Sequence, residues 1–156
     1  MSKRIGALLL GFSAATIILA PVQRVWATLG EPAESVSSDR KALSAVQRPA
    51  ASGANFTVQE LKSDANSVRE YVSPSGIVFA IAWDGLAQPD LSALLGSYAG
   101  EYRHALQQIP RKPGHRSLRV KTNGVVVEKW GHMRNLQGRA YAPALIPPGV
   151  SVDEIK

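Results

Sequence analysis

Residues 129–143 read KWGHMRNLQGRAYAP and gather a tryptophan, a histidine, two arginines and a tyrosine. Such a set can do two kinds of chemistry. An imidazole near a carboxylate transfers protons or binds metal. An indole beside guanidinium groups is a platform for a flat or charged ligand. The first reading rests on His132 with Glu128 and Arg134 close in sequence. No second histidine stands at the spacing a helical metal site uses. The second reading takes Trp130, His132, Arg134 and Arg139 as a shallow binding surface on the polar face of a sheet.

A second basic set lies just upstream. RKPGHRSLRVK (111–121) holds Arg111, Lys112, Arg116, Arg119 and Lys121 with His115 and no acid. It is either a solvated loop running into an edge strand or a weak contact for an anionic surface. It has none of the interleaved aromatics that single-stranded nucleic acid stacks on, so an envelope surface or polysaccharide is the expected partner and nucleic acid is not. His115 sits among cations that repel a metal ion, and His104 falls on the polar side of a predicted helix.

Other chemistries find little. The chain has no cysteine, hence no thiol nucleophile, thiolate ligand or disulfide. No Gly-x-Ser-x-Gly elbow, Walker loop or Gly-x-Gly-x-x-Gly is present, and no cofactor is expected. Glu70, Asp84 and Asp90 are carboxylates from which a hydrolase of an envelope polymer would need to draw a pair. Asp90 is explained as a helix cap, so Glu70, Asp84 and His132 carry the enzymatic alternative to a non-enzymatic binding or accessory module.

The elements that must position these groups follow from periodicity. MSKR precedes an apolar run over residues 5–20, then Pro21 and Val25-Trp26-Ala27. This is the layout of a secretory signal peptide cleaved near Ala27. The alternative is an inner-membrane anchor formed by residues 5–20. Removing residues 1–27 takes away Lys3, Arg4 and Arg24 and no acid. Cations then fall from 18 to 15 against 12 acids, and the net charge from +6 to +3. The protein is expected in the periplasm or outside the cell.

Residues 28–55 read as a short helix (35–46) and a linker (47–55), and residues 56–156 as one domain. Phe56 and Val58 begin a strand. Val68, Glu70 and Val72 alternate with Arg69 and Tyr71. Ser73-Pro74-Ser75-Gly76 is a tight turn. Residues 77–83 are apolar on both faces and read as a covered central strand, with Ile77, Phe79, Ile81 and Trp83 on one side. Asp90 caps a helix ended by Pro110, with an apolar stripe through Leu91, Leu94, Leu95, Tyr98, Tyr102, Leu106 and Ile109. Gly96 and Gly100 weaken it. Asn123-Gly124 makes a hairpin that sets Val120 opposite Val127 and Arg119 opposite Glu128. Gln137-Gly138 suggests a further turn, and a proline-rich tail ends in one helical turn. The predicted fold is α+β: an antiparallel sheet of five to six strands on one long helix, plus the short N-terminal helix.

Four strings occur in this order: REYVSPSGIVFAIAWDG, PDLSALLGSY, VVVEKWGHMRNLQGRAYAPAL and PPGVSVDEI, with Leu29-Gly30 just after the predicted signal. In these the chain resembles domain-of-unknown-function family 2844, small exported proteobacterial proteins. The resemblance covers nearly all of the chain beyond the signal and implies export and a single domain, but no activity, cofactor or catalytic residue. Trp130 departs from the family pattern, where glycine often precedes Gly-His-Met-Arg.

Overall fold

The computed structural model describes residues 29–33, 46–53, 55–110, 114 and 116–156. The expected signal segment 1–27 lies outside them, as does the expected helix except for its last residue, Val46.

The fold is α+β. Its strands are β1 (Val46–Gly53), β2 (Phe56–Lys62), β3 (Asn66–Val72), β4 (Val78–Gly85), β5 (Leu118–Lys121), β6 (Val126–His132) and β7 (Asn135–Tyr141). They form one sheet of seven strands in the order β1-β2-β3-β4-β7-β6-β5, each antiparallel to its neighbours. The chain meanders through β4, crosses by its helical segment to the far edge at β5, and meanders back until β7 closes on β4. The segment read as a linker is thus largely β1, which makes seven strands instead of five or six. Its small residues and Pro49 fit an edge strand, which needs ladder hydrogen bonds on one side only.

The helical segment is broken. Asp90 caps α1 (Leu91–Leu95) by accepting from the Ser92 amide at 2.9 Å. Gly96 then takes φ 49 and ψ −117, outside the helical region, and a 3-10 turn (Gly96–Tyr98) leads into α2 (Ala99–Gln108). A glycine adopts that backbone without the Cβ clash other residues meet. The expected apolar stripe survives the break: Leu91, Leu94, Leu95 and Tyr102 are buried on the sheet. No helix among the described residues is long and apolar enough to cross a membrane.

Both faces of the sheet are covered. One carries α1, α2 and Leu29, packed on Leu61, Val68, Ile81, Trp83, Val120 and Val127. The other carries the C-terminal segment, whose Ile155 packs with Tyr71, Phe79, Ala80, Ala82, Val126 and Tyr141. β4 is central, and residues 78–83 are at most 1% exposed. Its expected alternation is corrected at one place. The register shifts at Tyr71/Val72, so Ala80 faces Tyr71 while Val78 faces Val72. This β-bulge re-aims Phe79 away from Ile81 and Trp83 and onto Phe56 and Tyr71, with ring centroids 6.2 Å from each.

The tail turns at a 3-10 segment, Val152–Glu154. There the Ser151 hydroxyl accepts from the Asp153 amide and the Glu154 carboxylate accepts from the Ser151 amide. That turn drops Ile155 into the second core.

Candidate functional site

The stretch 129–143 is a hairpin. β6 ends at His132 and β7 starts at Asn135, so Met133 and Arg134 are the turn, and Arg134 takes a positive φ of 68°. The turn expected at Gln137-Gly138 is instead strand interior, with Gln137 opposite both Asp84 and Trp130.

Alternation along β6 sends Val127 and Lys129 to the helix side, where the Lys129 ammonium lies 5.9 Å from the Tyr102 ring centroid. Val126, Glu128 and Trp130 go to the tail side. Registers across five strands then align one row on that face: Arg69, Ala82, Arg139, Glu128 and Arg119. The next row holds Ser67, Asp84, Gln137 and Trp130. The expected Arg119–Glu128 and Val120–Val127 pairings are present.

The charged row is tied together. Arg139 donates from Nε to Glu128 at 2.6 Å, and Arg119 contacts the other Glu128 oxygen at 3.1 Å. Arg69 pairs with Asp84 at 2.8 Å. Both inner arginines also hold the tail. Arg69 Nε donates to the main-chain oxygen of Lys156 at 2.6 Å, and Arg139 Nη1 donates to those of Val152 and Ile155 at 2.7 and 3.3 Å. Ala82, between the two arginines, leaves room for their side chains.

In the second row Trp130 donates from Nε1 to Gln137 Oε1 at 2.9 Å, and Gln137 donates from Nε2 to Asn135 Oδ1 at 2.8 Å. The Arg139 guanidinium lies 5.9 Å from the Trp130 ring centre. The indole is thereby fixed in orientation while 37% of the residue stays exposed.

These rows line a cleft of about 860 Å³ with Asp153, Ile155 and Lys156 of the tail on its border. It reaches from Asp84 on β4 across β7 and β6 to Arg119 on β5, three strand spacings or about 14 Å. That volume lies within the range of sites that bury small molecules or polymer segments.

The residues singled out from sequence are placed as follows. Trp130 and Arg139 line the cleft together. Arg134 is exposed in the turn, and His132 is exposed with its Nδ1 3.2 Å from the Met133 carbonyl oxygen; neither lines the cleft. Of the surface expected from Trp130, His132, Arg134 and Arg139, the structure brings only Trp130 and Arg139 to the cleft, because the turn falls at Met133–Arg134 and His132 ends β6 beside it. Arg116 is exposed before β5, and Arg111 and Lys112 lie outside the described residues. Among the carboxylates, Glu70 is fully buried opposite Ile81 on the helix side, whereas Asp84 is on the tail side. The sheet separates the two, so they do not form a pair across one cleft. Among the described residues no group of three or more His, Asp and Glu side chains converges as metal ligands.

Sequence reasoning missed Arg69, Gln137, Asp153 and Lys156. Alternation in SVREYV puts Arg69 with Tyr71 on one face, and the Ser-x-x-Glu signal in SVDEI announces the turn that brings the tail back. What it lacks is the pairing of β7 with β4, which joins the two halves of the site.

Comparison with known proteins adds a family and no activity. Residues 25–155 match the family described as "Protein of unknown function (DUF2844)", and the chain belongs to it. No curated protein and no solved structure matches the chain.

Proposed function

We propose that this protein is an exported, non-enzymatic binding module of the cell envelope, and that the cleft across β4, β7, β6 and β5 seats a stretch of polysaccharide. The observation that carries this reading is Trp130. Its indole is part-exposed, oriented by the Gln137 amide, and set in a row of polar side chains that runs across strands. A flat apolar face next to side-chain amides suits a sugar ring, which presents C–H groups on its faces and hydroxyls around its edge. An elongated cleft suits a polymer segment better than one compact metabolite. Both oxygens of Glu128 are taken by guanidinium groups, an arrangement that holds a shape.

Export is supported by Lys3 and Arg4 before the apolar run 5–20 and by Val25-Trp26-Ala27. Intact-mass analysis of a periplasmic extract is expected to give a chain beginning at Thr28. Recovery of the uncut chain from membranes supports the anchor instead. For binding, the protein and its Trp130→Ala variant are sedimented with insoluble envelope polysaccharide. Wild type co-sediments and the variant stays in solution, whereas equal retention contradicts the reading.

A further inference from the structure

The geometry points to an acidic-sugar subsite formed by Trp130 with the Arg119–Glu128–Arg139 triad, the sugar bearing a carboxylate. This rests on the polysaccharide reading above and deepens it.

Arg69 and Asp84 balance each other at 2.8 Å. Glu128 alone faces two guanidinium groups, Arg139 at 2.6 Å and Arg119 at 3.1 Å, so the triad keeps one positive charge in excess. That excess is displayed at Arg119. The Arg139 guanidinium is spent on Glu128 and the tail carbonyls, and its side chain is 18% exposed. The Arg119 side chain is 64% exposed and touches Glu128 through Nε, and among the described residues its Nη groups make no hydrogen bond. Those Nη groups form a planar pair of donors matched to a carboxylate.

Position then ties charge to ring. Glu128 and Trp130 stand on one strand face, two residues and about 6.6 Å apart. A six-membered sugar ring lying on the indole therefore directs a ring carboxylate toward Arg119. The Gln137 and Asn135 amides flank the same indole, where ring hydroxyls fall. A neutral sugar leaves the Arg119 fork without a partner. A sulfate or phosphate ester also accepts from a guanidinium fork, but its linking oxygen carries it farther from the ring than a ring carboxylate, past the Arg119 fork.

The test is affinity electrophoresis through gels containing polygalacturonate, its carboxyl-reduced form, or dextran sulfate at matched charge. Wild type, Arg119→Gln and Trp130→Ala are run with circular dichroism as the folding control. The proposal expects wild type to bind polygalacturonate about tenfold more tightly than the carboxyl-reduced polymer, and more tightly than dextran sulfate. Arg119→Gln is expected to lose that preference, binding the two polymers equally. Equal wild-type affinity for the first two polymers overturns the acidic subsite and leaves the polysaccharide reading standing. Equal or tighter binding of dextran sulfate overturns it in favour of unspecific polyanion attraction. Failure of wild type to bind any of the three overturns both.

Discussion

Arg139 holds its guanidinium carbon 5.9 Å from the Trp130 ring centre while its Nε donates to Glu128 at 2.6 Å. One side chain thus links the exposed platform of the cleft to its charged row. Through Nη1 it also links both to the tail that borders the cleft. The pair with Glu128 is largely screened from water, with side-chain exposures of 18% and 15%. Arg139→Ala leaves Glu128 short of a partner and two tail carbonyls without their donor. Chemical denaturation is expected to show a loss of about 2–3 kcal/mol. Arg139→Lys retains the charge without the fork and falls between the two. A loss under about 0.5 kcal/mol for the alanine variant, the size of an ordinary surface change, contradicts this role.

Gly138 has a specific reason to be glycine. A Cβ there would overlap the Trp83 ring and come within 2.7 Å of the Glu128 main-chain oxygen. Trp83 is 1% exposed and has no room to yield. Gly138→Ala is expected to lower stability by about 2–3 kcal/mol, the usual cost of overpacking a core. Thermal melting checks it, and an unchanged midpoint contradicts the packing described.

Arg134 offers the opposite sign. At φ 68° it occupies the left-handed region in an exposed turn, which costs a non-glycine residue about 1–2 kcal/mol. Glycine removes that strain and gives back part of the gain through a freer unfolded chain. Arg134→Gly is expected to stabilise the fold by about 0.5–1 kcal/mol. Because Arg134 stands outside the cleft, polysaccharide binding should not change. A destabilised variant, or one that has lost binding, contradicts this placement.

Tyr102 buries its hydroxyl with no hydrogen-bond partner among the described residues, and the residue is 5% exposed. An unpaired buried hydroxyl opposes folding, so Tyr102→Phe should leave stability unchanged or raise it by up to about 1 kcal/mol. A clear loss in urea unfolding would reveal a partner for that hydroxyl.

Local patterns were readable where one physical cause dominated. The apolar run of β4 required a covered central strand, Asn123-Gly124 set the Arg119–Glu128 register, and Asp90 announced its cap. Three features were not readable, each for a nonlocal reason. Phe79 changes face because of a bulge set by strand pairing. β1 is a strand because β2 offers an edge, against the loop-like composition of QRPAASGAN. The site itself needs β7 beside β4, a contact between residues far apart in sequence. Trp130 and Arg139 were legible as candidates from residue type, while their neighbours Arg69, Asp153 and Lys156 became visible only in three dimensions.

The most direct test of the central claim is a two-dimensional NMR titration of the protein with soluble envelope oligosaccharides, following backbone amides and the Trp130 indole N–H. Saturable shifts are expected at Trp130, Gln137, Asn135 and Arg119, with the helix-side amides of α2 unmoved. Shifts absent from these residues, or centred on α2, would contradict that claim.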